Sequence, residues 1–205
     1  MEQFDNVNDY IDDLKSHLRD NPQCGNTHYN LGVAYLSRRD FMEAETEFLE
    51  AVANSPKMAE AYVQLGGIAM QRGDMEGCMN YNVQATQQRP FFAVPWGNIG
   101  FAQLQLGEVD KAHQALKKAI KLDPNFVQAK ATMSSVLINM GEYEEADKLL
   151  KEILEKHPEF GPAWNNKAII DAHNEQWEDA KVCIAKAEEF GFEVPEEFKQ
   201  EVLSK

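Results

Sequence analysis

Residues 96–124, WGNIGFAQLQLGEVDKAHQALKKAIKLDP, contain the pattern that decides the fold of this 205-residue chain. The first half places Ile99 and Gly100 three and four residues after a tryptophan, and the second half repeats apolar residues at similar spacing. Spacings of three and four residues put side chains on one face of a helix. Gly107 lies between the halves, and glycine readily takes the left-handed conformation that ends a helix. The stretch therefore predicts two helices joined by a tight turn, with Pro124 ending the second helix.

The same pattern recurs every 34 residues along the chain. The position of Gly100 is small in five copies, which carry Gly32, Gly66, Gly100, Ser134 and Ala168. A position in the second half is also small in every copy: Ala44, Cys78, Ala112, Ala146 and Ala180. Four copies end on a proline in the same register, namely Pro56, Pro90, Pro124 and Pro158. Because these positions recur in phase, the pattern indicates stacked repeats, each too small to bury its own apolar side.

The pattern resembles the tetratricopeptide repeat (TPR), which has W-x2-L-G-x2-Y, then A-x3-F, then P, at a 34-residue period. The resemblance implies an all-α fold, a right-handed superhelical solenoid of helix-turn-helix units with a helix A and a helix B in each. The predicted units are TPR 1 at 25–58, TPR 2 at 59–92, TPR 3 at 93–126, TPR 4 at 127–160 and TPR 5 at 161–194. The predicted turns between helix A and helix B are Arg39-Asp40, Gly73-Asp74, Gly107-Glu108, Gly141-Glu142 and Gln176-Trp177.

Both ends of the array are predicted to carry an additional helix. Within residues 1–24, apolar side chains recur at helical spacing, at Phe4, Val7, Ile11, Leu14 and Leu18. This amphipathic helix is interpreted either as a half-repeat that caps the first unit or as an arm that binds the groove of another molecule. Residues 195–205 are predicted to form a polar capping helix, because the last unit of a solenoid has no neighbour to cover it.

The composition is that of an acidic folded protein. The net charge is −14 and the pI is about 4.8. Nucleic-acid binders need a basic surface, and anionic membranes attract basic segments, so we expect neither kind of partner. No run of 18 apolar residues exists, and the first residues contain neither a basic region nor an apolar stretch of a secretory signal. We therefore expect no direct membrane insertion and a cytoplasmic location.

The sequence contains no pattern typical of catalysis or of metal binding. The three cysteines, Cys24, Cys78 and Cys183, are far apart, which disfavours a disulfide framework or a zinc site. No HExxH, no phosphate-binding glycine loop and no GxSxG is present. The acidic runs fall on the predicted B helices, where charge is usually solvated. We expect a chain that is not an enzyme and that uses no cofactor and no metal.

The TPR resemblance implies that the A helices line a concave groove. Helical geometry places residues two, five, six, nine, twelve and thirteen of each unit there. The predicted groove residues are Tyr29, Asn30, Val33, Val63, Gln64, Met70, Asn98, Phe101, Gln105, Ser135, Asn165, Asn166, Ile169 and His173. Residue six is an amide in four units, and an amide can both donate to and accept from a peptide backbone. These amides either clamp a ligand main chain, as in peptide-binding relatives, or are ordinary repeat composition.

The chemistry of the groove indicates the type of partner. Clamps for acidic chaperone tails need lysine and arginine in the groove, and these positions have none. Gly97 beside Phe101 predicts a hollow with an aromatic wall. The sequence thus favours an apolar or weakly basic peptide or helix. Outside the groove, unit three carries a basic patch that either mediates self-association or is a local excess of charge: Lys111, Lys117, Lys118 and Lys121.

These features predict a non-catalytic protein–protein interaction scaffold or adaptor. The alternative is a structural role, in which the chain forms a homo-oligomer and the N-terminal helix docks in a neighbouring groove. Because TPR folds serve many roles, the sequence does not identify the partner protein.

Overall fold

The computed structural model describes residues 6–205, and every regular element in that range is an α-helix. The twelve helices are α1 (Val7–Asp20), α2 (Gly25–Ser37), α3 (Phe41–Asn54), α4 (Ala59–Gln71), α5 (Met75–Gln88), α6 (Ala93–Gln105), α7 (Val109–Leu122), α8 (Val127–Met140), α9 (Tyr143–Lys156), α10 (Gly161–His173), α11 (Trp177–Glu189) and α12 (Glu196–Leu203). Phe4, the first residue of the predicted N-terminal apolar stripe, lies outside the described residues. Within residues 6–205, no helix combines the length and the apolar character needed to cross a membrane.

Each A helix is separated from its B helix by a residue with left-handed backbone. These residues repeat every 34 positions and are Arg39, Gly73, Gly107, Gly141 and Glu175. Glycine adopts this conformation without steric conflict, whereas arginine and glutamate do so at a cost of about 1 kcal/mol. In the last hairpin the left-handed residue is Glu175, so the turn lies one residue before the predicted Gln176-Trp177. Gln176 is already the residue that precedes α11.

The chain divides into two compact units with the boundary after Ala102, inside α6. In the first unit, Ile11 and Leu14 of α1 pack with Leu31 of α2, Phe48 of α3 and Leu65 of α4. Helix α1 thus covers the first hairpin of its own chain.

Gly32 explains how closely α2 and α3 approach. A Cβ atom at this position would lie 2.7 Å from the Phe48 ring, which is closer than van der Waals contact allows. Phe48 is completely buried, so its ring has no free space into which it could move. The small residue in helix A therefore accommodates the large aromatic residue in helix B.

The second unit has a core of the same kind. Ala112 and Leu116 of α7, Val136 of α8 and Leu150 of α9 are completely buried. At its end, Ala168, Ala180 and Ile184 of the last hairpin form a cluster with Val194 and Val202. Val202 belongs to α12, so the C-terminal helix covers the last hairpin.

Candidate interaction surfaces

The first A-helix face consists of the predicted groove positions of α2 and α4 and of α6 up to Ala102. Asn30 and Val33 are exposed on α2, and Val33 retains 40% of its accessible surface. Tyr29 is half-buried, with its ring centroid 5.6 Å from that of Phe48. Gly67 of α4 is exposed and has open space where a side chain would be. This face therefore presents an amide and apolar groups to solvent.

The other predicted residues of this face are partly used by the core. They are half-buried, and they are Val63, Gln64, Met70, Asn98 and Phe101. Asn98 donates from Nδ2 to Oδ1 of Asn82 at 3.0 Å, and Asn82 in turn donates to the Cys78 carbonyl at 2.8 Å. Gly97 is buried, so the hollow predicted beside Phe101 is not open to solvent at that residue. The Asn98 amide thus already links α6 to α5.

The second A-helix face consists of the predicted positions of α8 and α10. Asn166 is buried, and its Nδ2 lies 2.8 Å from Ser135 Oγ, 2.9 Å from Ser134 Oγ and 3.1 Å from the Ala131 carbonyl. The structure thus brings the predicted residues Ser135 and Asn166 into direct contact, where they join α8 to α10. This amide group has acceptors from its own chain, unlike that of Asn30, which is exposed.

The remaining predicted residues of α10 differ in exposure. Ile169 is half-buried, whereas His173 is exposed and stacks on Tyr143 with ring centroids 3.8 Å apart. Asn165 is buried, and its Oδ1 has no hydrogen-bond partner within residues 6–205. A buried unpaired acceptor destabilises a fold by about 1–3 kcal/mol. Gln105, at the end of α6, is exposed.

A charged cluster that the sequence patterns did not single out is formed by side chains of α9 and of the last hairpin. Lys167 Nζ contacts the Asp171 carboxylate and lies 3.4 Å from Asp147 Oδ1. Lys151 pairs with Asp147 Oδ2 at 2.6 Å. Asp171 is 2% exposed and accepts from Cys183 Sγ at 3.4 Å. These side chains border a cleft of about 450 Å³ between α9, α10 and α11.

In this cluster, the effect of the ion pairs on the pKa values is larger than the effect of burial. Burial favours the neutral form of Lys167, but Asp171 and Asp147 raise the pKa of its ammonium group. Burial likewise works against ionised Asp147, but Lys151 and Lys167 lower the pKa of that carboxyl. Both groups therefore remain charged at neutral pH. Lys167 and Asp171 occupy the positions of the repeat at which the first hairpin has Leu31 and Tyr35.

Two of the three thiols are unreactive at neutral pH because they stay protonated. Burial raises the pKa of Cys78 to about 11, and burial with the neighbouring Asp171 charge raises that of Cys183 to about 12. Thiols with such values are protonated at neutral pH and are poor nucleophiles. Among residues 6–205, no group of three or more histidine, cysteine, aspartate or glutamate side chains is arranged to hold a metal ion.

Lys117 of the predicted basic patch lines a second cleft, of about 620 Å³, between α7, α8 and α9. Lys117 lies on the α7 side of this cleft, and Glu145, Lys148 and Glu152 lie on its α9 side. Lys111 is paired with Glu108 at 2.8 Å. The rims therefore carry charges of both signs, so the cleft is not a uniformly basic surface.

The repeat pattern did not reveal which residues hydrogen-bond to the groove amides or which residues pair with the buried charges. Asn82, for example, is completely buried, and its Oδ1 accepts a hydrogen bond from Asn98. The sequence did contain one signal for these residues. Asn82, Lys167 and Asp171 are polar residues at core positions of the repeat. Their partners come from other helices and are not apparent from the period.

Comparison with known proteins establishes the family. The model of the cilia and flagella-associated protein 70 C-terminal domain, a tetratricopeptide-repeat family, matches residues 23–156, which is more than half of the chain. The chain belongs to this TPR family. The TPR resemblance predicted from the repeat period is thereby confirmed. No curated protein sequence matches the TPR chain.

Solved structures confirm the all-α superhelical repeat fold. PilF of Pseudomonas aeruginosa has a TM-score of 0.80 and 17% identity, over 97% of the TPR chain and 89% of its own. PilW, described as a widely conserved type IV pilus biogenesis factor, has a TM-score of 0.74 and 19% identity, over 88% and 86%. YrrB, described as a TPR protein with an unusual peptide-binding site, has a TM-score of 0.69 and 17% identity, over 94% and 98%. At these identities the likeness concerns the fold, and the TPR fold in general supports interaction with other proteins.

Proposed function

We propose that this chain is a non-catalytic interaction scaffold whose A-helix faces bind an apolar or weakly basic peptide or helix. The observation that carries the proposal is the lack of charge on these faces. At the groove positions of α2, α4, α8 and α10, Glu60 is the only aspartate, glutamate, lysine or arginine. Glu60 itself is paired with Arg89. In a chain with 26% charged residues and a net charge of −14, the faces are thus set apart from the rest of the surface.

Uncharged faces determine how a partner is held. Contact is made through apolar side chains and amides, while the acidic remainder of the chain attracts a weakly basic partner from a distance. Such attraction extends about one Debye length, roughly 8 Å at physiological salt. We therefore expect salt to slow association more than it weakens the formed complex.

The first A-helix face is the stronger candidate. Its Asn30 amide and Val33 side chain are exposed, whereas the corresponding Asn166 is surrounded by acceptors from its own chain. The YrrB description, a TPR protein with a peptide-binding site, supports peptide binding by a protein of this fold.

A matched pair of substitutions tests the first A-helix face. Val33 of α2 is 40% exposed and Val83 of α5 is 41% exposed, so glutamate is tolerated similarly by the fold at both sites. Proteins captured from a cell extract are identified by mass spectrometry with wild type, Val33→Glu and Val83→Glu. We expect Val33→Glu to lose a partner that Val83→Glu retains, with a Kd at least tenfold weaker for the purified pair. Equal capture by both variants would exclude this face.

Phe101→Glu tests the same face at its other end. Because Phe101 is half-buried, circular dichroism must first show unchanged helicity. We expect the variant to lose the partner that Val33→Glu loses. Retention of that partner by a fully helical Phe101→Glu would remove α6 from the proposed site.

For α1, the proposed role is that of a cap. This is supported by Ile11 and Leu14, which are buried in the first unit of their own chain. The competing role, an arm that joins copies into a homo-oligomer, predicts that molecular size depends on concentration. Light scattering over a dilution series, with and without residues 1–22, separates the two. We expect a concentration-independent monomer for the full chain, and oligomers that disappear on truncation would instead support the arm.

A cytoplasmic location is proposed from the cysteines. Cys24, Cys78 and Cys183 are all free thiols, and unpaired thiols persist in reducing compartments. Titration of the denatured chain, isolated under alkylating conditions, is expected to give three thiols. A disulfide in the isolated chain would contradict this location.

A further inference from the structure

Three helix connectors of the chain are held by the same kind of contact. Trp164 donates from Nε1 to the carbonyl of Pro158 at 2.7 Å, and Trp96 donates from Nε1 to the carbonyl of Pro90 at 3.4 Å. At the same position of the first unit, His28 places Nε2 3.0 Å from the Pro22 carbonyl. Each ring thus reaches the proline that lies six residues earlier. The indole N–H is permanent, whereas an imidazole N–H depends on protonation.

The second ring nitrogen of His28 is also bound to an acceptor. Nδ1 lies 2.6 Å from Oε2 of Glu47 on α3. A neutral imidazole has one N–H, so it can donate to the carboxylate or to the carbonyl but not to both. Only the imidazolium form satisfies both contacts. His28 is 8% exposed, so water has little access to replace a lost hydrogen bond.

The charges around the ring favour this form. Burial works against the imidazolium, but the contacts with Glu47 and the Pro22 carbonyl and the charge of Glu50 raise the pKa of His28. In the connector, hydrogen bonds with Thr27 lower the pKa of the Cys24 thiol, and the charge of His28 contributes less. The contacts of α1 with α2 involve other residues, since Lys15 lies over the Tyr35 ring and Asn8 accepts from Arg38.

We propose that His28 is a proton-dependent latch that holds the connector between α1 and α2 and thereby keeps α1 docked on the first hairpin. Loss of the ring proton removes one of the two hydrogen bonds and leaves Glu47 or the Pro22 carbonyl without a donor. The connector is then held less firmly, and α1 opens more often. Opening uncovers the apolar residues of the first hairpin, such as Leu31, that Ile11 and Leu14 cover.

The direction of the pH effect follows from the raised pKa. The latch contributes fully below the ordinary histidine value of 6.5 and is lost as the pH rises through the higher value of the folded chain. Amide hydrogen exchange of α1, corrected for the intrinsic pH dependence of exchange, measures this directly. We expect α1 protection factors to fall about tenfold from pH 6 to pH 9, the effect of one hydrogen bond to a charged group. Those of α5, in the same sample, stay constant.

Two variants make the test specific. Glu47→Gln provides an amide that can donate to Nδ1, so a neutral His28 satisfies both contacts and α1 protection becomes independent of pH. His28→Trp restores the permanent N–H of the other connectors and has the same expected result. NMR of the His28 ring confirms titration in wild type and a lower pKa in Glu47→Gln. Wild-type α1 protection that does not change with pH, or an unchanged pH dependence in folded Glu47→Gln, would overturn the proposal.

Discussion

The first and last helical hairpins place different chemistry at equivalent positions of the repeat. Where α2 has Leu31 and Tyr35 in an apolar core, α10 has Lys167 and Asp171, which neutralise each other beside a cleft. A helix-turn-helix unit thus accommodates either an apolar pair or an ion pair at these positions. The repeat therefore requires complementary neighbours at these positions more strictly than it requires apolar side chains.

The largest expected effect comes from breaking the ion pair in the last hairpin. Lys167→Ala leaves the buried Asp171 carboxylate without its ammonium partner, and we expect a loss of about 3–5 kcal/mol in unfolding free energy. The double variant Lys167→Leu with Asp171→Tyr, which introduces the residues of the first hairpin, is expected to be neutral or stabilising. Urea denaturation measures both. A Lys167→Ala loss below about 1 kcal/mol would show that Asp171 does not depend on this pair.

The groove amides of the two hairpins are expected to differ in their structural role. Asn166→Ala removes the buried donor to Ser134 and Ser135, and we expect a loss of about 1–3 kcal/mol. Asn30→Ala, at the equivalent exposed position, is expected to change stability by less than about 0.5 kcal/mol. The affinity for the binding partner should show the opposite order, with the larger loss of affinity for Asn30→Ala. Equal stability losses would contradict the assignment of Asn166 to structure.

Packing of helix A on helix B is expected to respond to a single methyl group in the first hairpin. Gly32→Ala brings Cβ against the Phe48 ring, and we expect destabilisation of about 1–3 kcal/mol despite the better helix propensity of alanine. The last hairpin already combines Ala168 with Ile184. Adding Phe48→Ile to Gly32→Ala should therefore recover part of the loss. Gly67→Ala is the control, because its Cβ would meet no atom of residues 6–205 within 4 Å apart from its own stretch of helix, and it should stabilise by up to about 1 kcal/mol.

The smallest expected effect is a pH response of opposite sign in the two regions. The ion pairs of Asp147 lower its pKa, so their stabilisation is present above the ordinary value of 3.8 and is lost as the pH falls through the lower folded value. The His28 contact weakens in the other direction, above pH 6.5. Hydrogen exchange should show α10 loosening at acid pH and α1 loosening at alkaline pH. Parallel changes in both helices would indicate global unfolding instead.

The fold was largely predictable because its determinants are local. The small residues, the turn glycines and the closing prolines act within one hairpin or between successive helices, so a period in the sequence reports them directly. Even the misplaced last turn differs by one residue, since the left-handed position is occupied by Glu175 and not by a glycine. The contacts of the predicted site residues could not be read from the repeat period. A shared position in the repeat indicates which way a side chain leaves its helix but not what it meets.

The amino-acid sequence by itself determined that the chain forms repeated helical hairpins of the TPR family, with Glu60 as the only aspartate, glutamate, lysine or arginine at the groove positions of α2, α4, α8 and α10. Spacing and residue size are sufficient for this, because each helix buries the same stripe against its neighbour. Only the tertiary structure decided which of the equivalent amides are free. Asn30 is exposed, while Asn98 and Asn166 are hydrogen-bonded to residues of adjacent helices. The physical reason is that a hydrogen bond depends on atoms brought within about 3 Å by packing, which no single helix specifies.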